Sequence, residues 1–267
     1  MARCKVAAIQ MVSAPEVAAN LEAAGRLLAE AARAGARLAA LPEYFCILGR
    51  HETDKVKVRE QDGDGPIQSF LARCARELGI WILGGTVPIA CDDATRVRSA
   101  CLVFDAEGRR VARYDKMHLF AYASAAERYD ESRTIEPGAA PLALDSPFGR
   151  LGLSVCYDVR FPELYRALGR VDAWFVPSAF TAATGAAHWE TLLRARAIEN
   201  QCYVVAPAQG GLHANGRRTH GHTMVVGPWG EVLAVRPEGE GVAIAEIDTA
   251  RLDEVRKSLP ALDNRRL

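Results

Sequence analysis

Apolar residues in this chain alternate between two spacings, and the alternation runs from end to end. Short runs such as Lys5 to Met11, Arg37 to Leu41, Trp81 to Val87 and Ser99 to Phe104 have the length and apolar density of strands. Between them lie stretches with helical character, Val17 to Ala34 and Ile67 to Leu78, closed by Gly35 and Gly79. A glycine just past the last periodic residue ends a helix because it enters the left-handed conformation without a steric penalty. Asp105-Ala106-Glu107-Gly108 leads into Val111 to Tyr114 and predicts a hairpin. Gly227-Pro228-Trp229-Gly230, between Thr223 to Val226 and Val232 to Val235, predicts a second. The remaining pattern gives an apolar run into Cys156, a helix from Glu163 to Leu168, a strand from Ala173 to Val176 and a helix from Trp189 to Asn200. Strands from Tyr203 to Pro207 and Gly241 to Ile247 follow, then a last helix from Leu252 to Leu259 that Pro260 stops. Met117 to Pro141 carries neither spacing, and so long a connection in a compact domain is usually functional. No repeat, low-complexity stretch or linker-like break interrupts the series. The expectation is one α/β domain over residues 1–267, with helices covering mixed sheets.

Composition narrows the function classes. The 267 residues are enough for an extensive core, and 49% hydrophobic with 25% charged residues is ordinary for a globular protein. Lys plus Arg equals Asp plus Glu at 33 each, so no net field favours nucleic acid or an anionic membrane. The seven cysteines are odd in number and contain no C-x-x-C pair, which argues against a disulfide framework and for a reducing compartment. With no long apolar run, the expectation is a cytoplasmic protein with no membrane partner.

Chemistry concentrates at three strand ends. Leu151-Gly152-Leu153-Ser154-Val155-Cys156-Tyr157-Asp158-Val159-Arg160-Phe161-Pro162-Glu163 carries a cysteine from a strand into a turn and then a helix. A thiol placed there can act as a nucleophile while the N–H groups of the turn hold an anion. Leu38 to Phe45 ends an apolar strand on Glu43, and Arg113 to Phe120 places Lys116 at another strand end. Taken singly, each has a plain structural reading: a buried core thiol, a salt-bridged surface glutamate, an exposed lysine. Three reactive groups at three strand ends read together as a site.

In these contexts Glu43, Lys116 and Cys156 resemble the nitrilase superfamily of carbon–nitrogen hydrolases, over nearly the whole chain. Pro177-Ser178-Ala179-Phe180, Thr184 to Glu190 and Leu193 to Gln201 are similar to the branch that holds amidases of 2-oxo acid amides, as are Ala208 to His213 and Gly221 to Val226. The resemblance implies an α-β-β-α sandwich of two six-stranded mixed sheets flanked by helices, assembled as a homodimer or higher homo-oligomer, with no metal and no cofactor. It implies a small-molecule amide as substrate, with Glu43 as base, Lys116 and the backbone N–H of Tyr157 as oxyanion donors, and a thioester on Cys156. Glu131, in Tyr129-Asp130-Glu131-Ser132, would orient the lysine or the leaving group, and is preferred over nearby Glu127. Tyr44, Arg160, Thr184 and His188 are candidate substrate contacts, Arg160 because a guanidinium can grip a carboxylate through two hydrogen bonds. The chain departs from its relatives at Ala121, where an aspartate is common, and at Gly227.

The activity implied first is hydrolysis of deaminated glutathione to 2-oxoglutarate and cysteinylglycine. An ω-amidase acting on 2-oxoglutaramate, or a carbamoylase, uses the same residues and stays open. A non-catalytic scaffold would be expected to lack one of the three groups, and a thiol redox protein lacks a resolving cysteine near Cys156. His220 and His222 form an H-x-H pair without further ligands in sequence, too few for a metal site. Gly84-Gly85 reads as close backbone packing within a strand, and Arg194 and Arg196 as ion-pairing residues on a helix.

Overall fold

The computed structural model describes residues 3–124 and 128–266. The first half of the chain contains β1 Cys4–Gln10, β2 Leu38–Ala40, β3 Trp81–Leu83, β4 Val87–Ala90, β5 Val97–Phe104 and β6 Arg110–Asp115. The short β7 Ala121–Ala123 and β8 Arg128–Asp130 follow, then β9 Leu142–Ser146, β10 Gly149–Leu153, β11 Ala173–Phe175 and β12 Tyr203–Ala206. The last are β13 Gly210–Leu212, β14 Arg218–His220, β15 Thr223–Val226, β16 Val232–Arg236 and β17 Gly241–Ile247. The helices are α1 Val17–Arg33, α2 Asp54–Lys57, α3 Pro66–Leu78, α4 Pro162–Ala167, α5 Ala182–Asn200 and α6 Thr249–Ser258.

One sheet runs β17-β1-β2-β3-β5-β4 with β6 also on β5, and the other runs β16-β15-β12-β11-β10-β9. β3 and β4 lie along the same edge of β5, one after the other, with Gly84 and Gly85 between them. The first sheet therefore has six strand positions, one of them broken, and β6 closes its far side. The break has a local cause. Gly85 sits at φ 51°, and a Cβ there would come within 2.0 Å of the Pro42 carbonyl oxygen. The glycine lets the strand pass against the turn that carries Glu43, and Thr86 accepts the Tyr44 N–H at 2.9 Å.

Alternation along β1 builds the layers. Val6 and Ala8 face an interior shared with Leu151, Leu153 and Val204 of the second sheet. Ala7 and Ile9 face the other way, onto Leu27 and Leu28 of α1 and Phe70 and Leu71 of α3. Trp189, Leu193 and Ala197 of α5 and Leu164 of α4 join the second sheet's core, so the order is helix, sheet, sheet, helix. Burial of each such Leu or Ile contributes about 1.5–3 kcal/mol.

Two predicted boundaries move. The helix expected from Trp189 begins at Ala182, because the Thr181 side chain caps it by accepting the Thr184 N–H. The aperiodic stretch after Met117 contains the β7–β8 hairpin and a 3-10 turn at Glu131–Arg133. No helix among the described residues is long and apolar enough to cross a membrane.

Candidate active site

Strand direction explains why distant residues meet. β2 and β3 are parallel, and two antiparallel steps through β5 return β6 to the same direction. The chain leaving β2 and the chain leaving β6 therefore emerge at one edge of the sheet, delivering Glu43 and Lys116. In the second sheet β10 ends at Leu153, and Cys156 opens a 3-10 turn three residues on. Tyr44 and Cys156 both hold left-handed backbone, at φ 57° and 48°, which is costly for residues with side chains and is tolerated where surrounding bonds over-determine it. Here the Cys156 N–H donates to the Pro177 carbonyl at 2.8 Å, and Arg196 Nε braces the turn through the Val159 carbonyl at 2.9 Å.

Lys116, fully buried, lies between two buried carboxylates. Its Nζ is 2.9 Å from Glu43 Oε1 and 2.6 Å from Glu131 Oε2. Glu131 is held by three donors, since Tyr44 Oη reaches its Oε1 at 2.6 Å and the Phe120 N–H its Oε2 at 2.7 Å. The Cys156 thiol faces the Glu43 carboxylate, and the Ala179 N–H faces the sulfur. Burial and the Glu43 charge push the Cys156 thiol well above its ordinary range, against the pull of Lys116. Burial also raises Glu43, helped by Glu131 and opposed by Lys116. For Lys116 burial works against the charge, but Glu131, Glu43 and Cys156 outweigh it and the ammonium is held more tightly than usual. Burial opposes ionisation of Glu131 too, yet Lys116 and the hydrogen bonds leave its pKa lowered. The set provides a fixed cation, one fixed anion and a proton shared between a thiol and a basic carboxylate.

Glu43, Glu131 and Cys156 open on a small cleft with Phe120, Tyr157, Arg160, Phe180, Thr184 and Arg217 among its walls, while Lys116 is not among its lining residues. Arg160 stands over the rings of Tyr157 and Phe180 at 5.7 and 5.2 Å. Tyr157 follows Cys156 directly in the chain and also lines the cleft. Two expected contacts lie elsewhere. Tyr44 lines the neighbouring hollows and spends its hydroxyl on Glu131. His188 is on the exposed side of α5 and meets Arg160 Nη1 at 3.2 Å, outside the cleft wall. Glu127 lies outside the described residues. His220 and His222 stack at 4.1 Å.

The chain matches the carbon–nitrogen hydrolase family model over residues 5–257. It belongs to the carbon–nitrogen hydrolases. A Synechocystis deaminated glutathione amidase is 45% identical over 265 residues, covering 97% of each chain. The human deaminated glutathione amidase is 41% identical, covering 98% of this chain and 82% of its own. The crystal structure of Saccharomyces cerevisiae Nit3, a member of branch 10 of the nitrilase superfamily, superimposes with a TM-score of 0.89 at 30% identity, covering 99% of this chain and 97% of that one. The α-β-β-α arrangement is that of the superfamily, and the chain is a hydrolase of carbon–nitrogen bonds other than peptide bonds.

Around the site of this carbon–nitrogen hydrolase, buried Gln209 and Asp158 and half-buried Arg217 have positions the sequence did not single out. Gln209 donates to the Glu43 carbonyl at 3.0 Å and to Ser13 Oγ at 2.7 Å, tying the glutamate's turn to the second sheet. Arg217 lines the cleft with no carboxylate of the described residues in ion-pairing range. Asp158 joins the two sheets' contributions. Its Oδ2 accepts from Tyr114 Oη at 2.7 Å and the Val155 N–H at 2.8 Å, and its Oδ1 from the His118 N–H at 2.9 Å, with His118 Nδ1 at 2.7 Å. Tyr114 and His118 flank Lys116 by two residues, and Val155 precedes Cys156. Asp158→Asn presents an amide donor to groups that donate, so at least one bond breaks. Stability should fall by about 1–3 kcal/mol. With the lysine and thiol loosened by a fraction of an ångström, kcat should drop about 10- to 100-fold with KM little changed. Denaturant midpoints and steady-state kinetics check this. An unchanged kcat would show that Asp158 serves the fold alone.

Proposed function

We propose that this protein is a cysteine-dependent amidase that hydrolyses deaminated glutathione to 2-oxoglutarate and cysteinylglycine. The observation that carries the reading is the buried Lys116 bridging Glu43 and Glu131, with both carboxylates and the Cys156 thiol lining one cleft. The names of relatives at 39–45% identity over nearly their full length support the substrate.

At rest the thiol is protonated, since burial disfavours its charge. As sulfur attacks the amide carbonyl, Glu43 takes the thiol proton; its raised pKa makes it a better base than an ordinary carboxylate. Negative charge then grows on the carbonyl oxygen, where the Lys116 ammonium and the Tyr157 N–H stabilise it. Such a donor is worth about 3 kcal/mol of barrier. Glu43 returns the proton to the departing nitrogen, the C–N bond breaks, and the acyl group remains on sulfur as a thioester. Water, deprotonated by Glu43, attacks the thioester and frees the acid and the thiol. Glu131, anionic throughout, fixes the ammonium and stays out of the proton traffic. Arg160 supplies a cation for the acyl group's carboxylate, with Thr184 on the facing wall.

Incubation with deaminated glutathione should release 2-oxoglutarate and cysteinylglycine in equal amounts. Ammonia from 2-oxoglutaramate, with deaminated glutathione left intact, would replace this reading with an ω-amidase. The free thiols of all seven cysteines support a reducing, cytoplasmic setting. A single domain forming homodimers is part of the same proposal. Trp229, Val232, Leu233 and Val235 on the β15–β16 edge, with Ile198 of α5, leave an exposed apolar strip that supports it. Light scattering should give twice the chain mass, and Leu233→Glu should shift it towards the monomer; a monomeric wild type rejects the dimer.

A further inference from the structure

Arg217 is a half-buried cation that the reaction scheme above leaves without a task. Its Nη2 donates to the Ala179 carbonyl at 2.7 Å, and the guanidinium lies 4.9 Å from the Tyr129 ring centre. Its Nε is buried with no hydrogen-bond partner. No carboxylate of the described residues pairs with it, although a guanidinium whose Nε is shut off from water normally has a partner. A cation kept in this condition at the wall of a cleft is a place where a ligand can supply the missing anion.

Position indicates which anion. Arg217 lines the cleft that contains Cys156, and also two hollows outside it. The first is formed with Tyr44, Ile47, Glu52, Lys55 and Asn215, the second with Arg50, Glu52, Tyr129, Asn215 and Arg218. Glu52 is the carboxylate common to both hollows, and Lys55 Nζ holds it at 2.6 Å. Arg50, Arg217 and Arg218 therefore leave the outer region positive. Arg160, in contrast, lines the Cys156 cleft and neither of these hollows. The peptide of Ala179 links the two regions, with its N–H toward the Cys156 sulfur and its carbonyl on Arg217.

Deaminated glutathione has a carboxylate at each end, with the scissile amide between them. The acyl end is short and must stay in the cleft with Cys156. The departing dipeptide is two residues long, and its terminal carboxylate reaches roughly 7 Å from the scissile nitrogen. Arg160 and Arg217 are the cations that line the cleft, and with Arg160 on the acyl end the cation left for that carboxylate is Arg217.

We propose that Arg217 is a specificity-determining residue that binds the terminal carboxylate of the leaving group, so that the site selects amides whose departing amine ends in an acid. The assignment rests on the amidase reading above for its substrate, and on the unpaired guanidinium at the junction of cleft and outer hollows for its chemistry.

The test compares deaminated glutathione with its C-terminal glycinamide, which differs only in lacking that charge. Wild type should prefer the acid by about 10- to 100-fold in kcat/KM, the factor expected of one charge-assisted hydrogen-bond pair. In Arg217→Gln the preference should collapse to near one, mainly through KM, and Arg217→Lys should keep part of it. A wild type without preference, or an Arg217→Gln enzyme that loses the same factor on both substrates, overturns the assignment. Should wild type hydrolyse 2-oxoglutaramate and neither of these compounds, the substrate reading fails instead. Calorimetric binding of cysteinylglycine against its amide, in wild type and Arg217→Gln, then measures the same preference without turnover. Equal affinities in wild type reject the subsite, and an acid preference that Arg217→Gln abolishes retains it.

Discussion

Lys116→Met should lose at least about 1,000-fold in kcat and unfold about 10 °C earlier than wild type at pH 7.5. Methionine keeps an unbranched side chain one heavy atom shorter than that of lysine and removes its charge. Two buried carboxylates, Glu43 and Glu131, are then left without the cation that both contact. Breaking one side of a buried ion pair costs about 3–5 kcal/mol, which in a chain of this size is a shift of roughly 6–20 °C. The activity loss follows from the missing oxyanion donor and from a Glu43 whose proton affinity is no longer balanced.

The pH dependence gives the sign independently. In wild type, Glu131 has a folded pKa below its ordinary value of 4.5, so its share of stability is present above that pH and lost as pH falls through the folded value. Lys116 has a folded pKa above its ordinary 10.5, so its share is present below that pH and lost only as pH rises through the folded value. Both shares are intact from about pH 5 to 10. Without the ammonium, burial and mutual repulsion raise the carboxylates above their unfolded values, and such groups destabilise more as pH climbs. The deficit of Lys116→Met should therefore be largest near pH 8 and shrink toward pH 5.5. Adding Glu43→Gln and Glu131→Gln should restore much of the stability and none of the activity. A constant deficit across that range would mean that the lysine is held by packing alone.

Much of this was readable before any coordinates, and the limit is physical. Cys156, Glu43 and Lys116 each follow an apolar run whose direction is fixed by its neighbours, so a strand-end reading places them at one edge of the sheets. Glu131 was harder, since the β7–β8 hairpin that positions it has no apolar period, and only family likeness separated it from Glu127. The start of α5 was missed because Ala182 to His188 has no apolar stripe; a threonine cap and the packing of Gly185 against His220 set it. Tyr44 and His188 are candidate substrate contacts by family resemblance, and neither is among the cleft's lining residues. Resemblance does not give side-chain direction: the Tyr44 hydroxyl is bound to Glu131, and His188 is on the exposed side of α5. Asp158 and Gln209 stand inside quoted motifs, yet the groups they hold, Tyr114, His118 and the Glu43 carbonyl, are 40 or more residues away. Arg217 had no signal at all. An arginine lacking a counter-ion becomes visible only when the surroundings are known.

Cys156→Ala should remove turnover to background, a loss of about 10⁵-fold or more, and Glu43→Gln should lose nearly as much. The informative quantity is the double variant. If sulfur and carboxylate handle one proton in one step, removing the second partner costs almost nothing after the first, as for residues that act as a unit. Cys156→Ala/Glu43→Gln should then sit within a few-fold of Cys156→Ala. A double variant another 1,000-fold slower would mean that Glu43 also promotes hydrolysis by water alone, and the shared-proton scheme would fall. The thioester supplies a second handle. Wild type quenched in acid during turnover should carry, on the peptide containing Cys156, the added mass of 2-oxoglutaric acid less one water. Cys156→Ala should carry none while still binding the intact amide. An adduct found on any of the other six cysteines would contradict the geometry, because Cys156 is the cysteine that lines the cleft between Glu43 and Arg160.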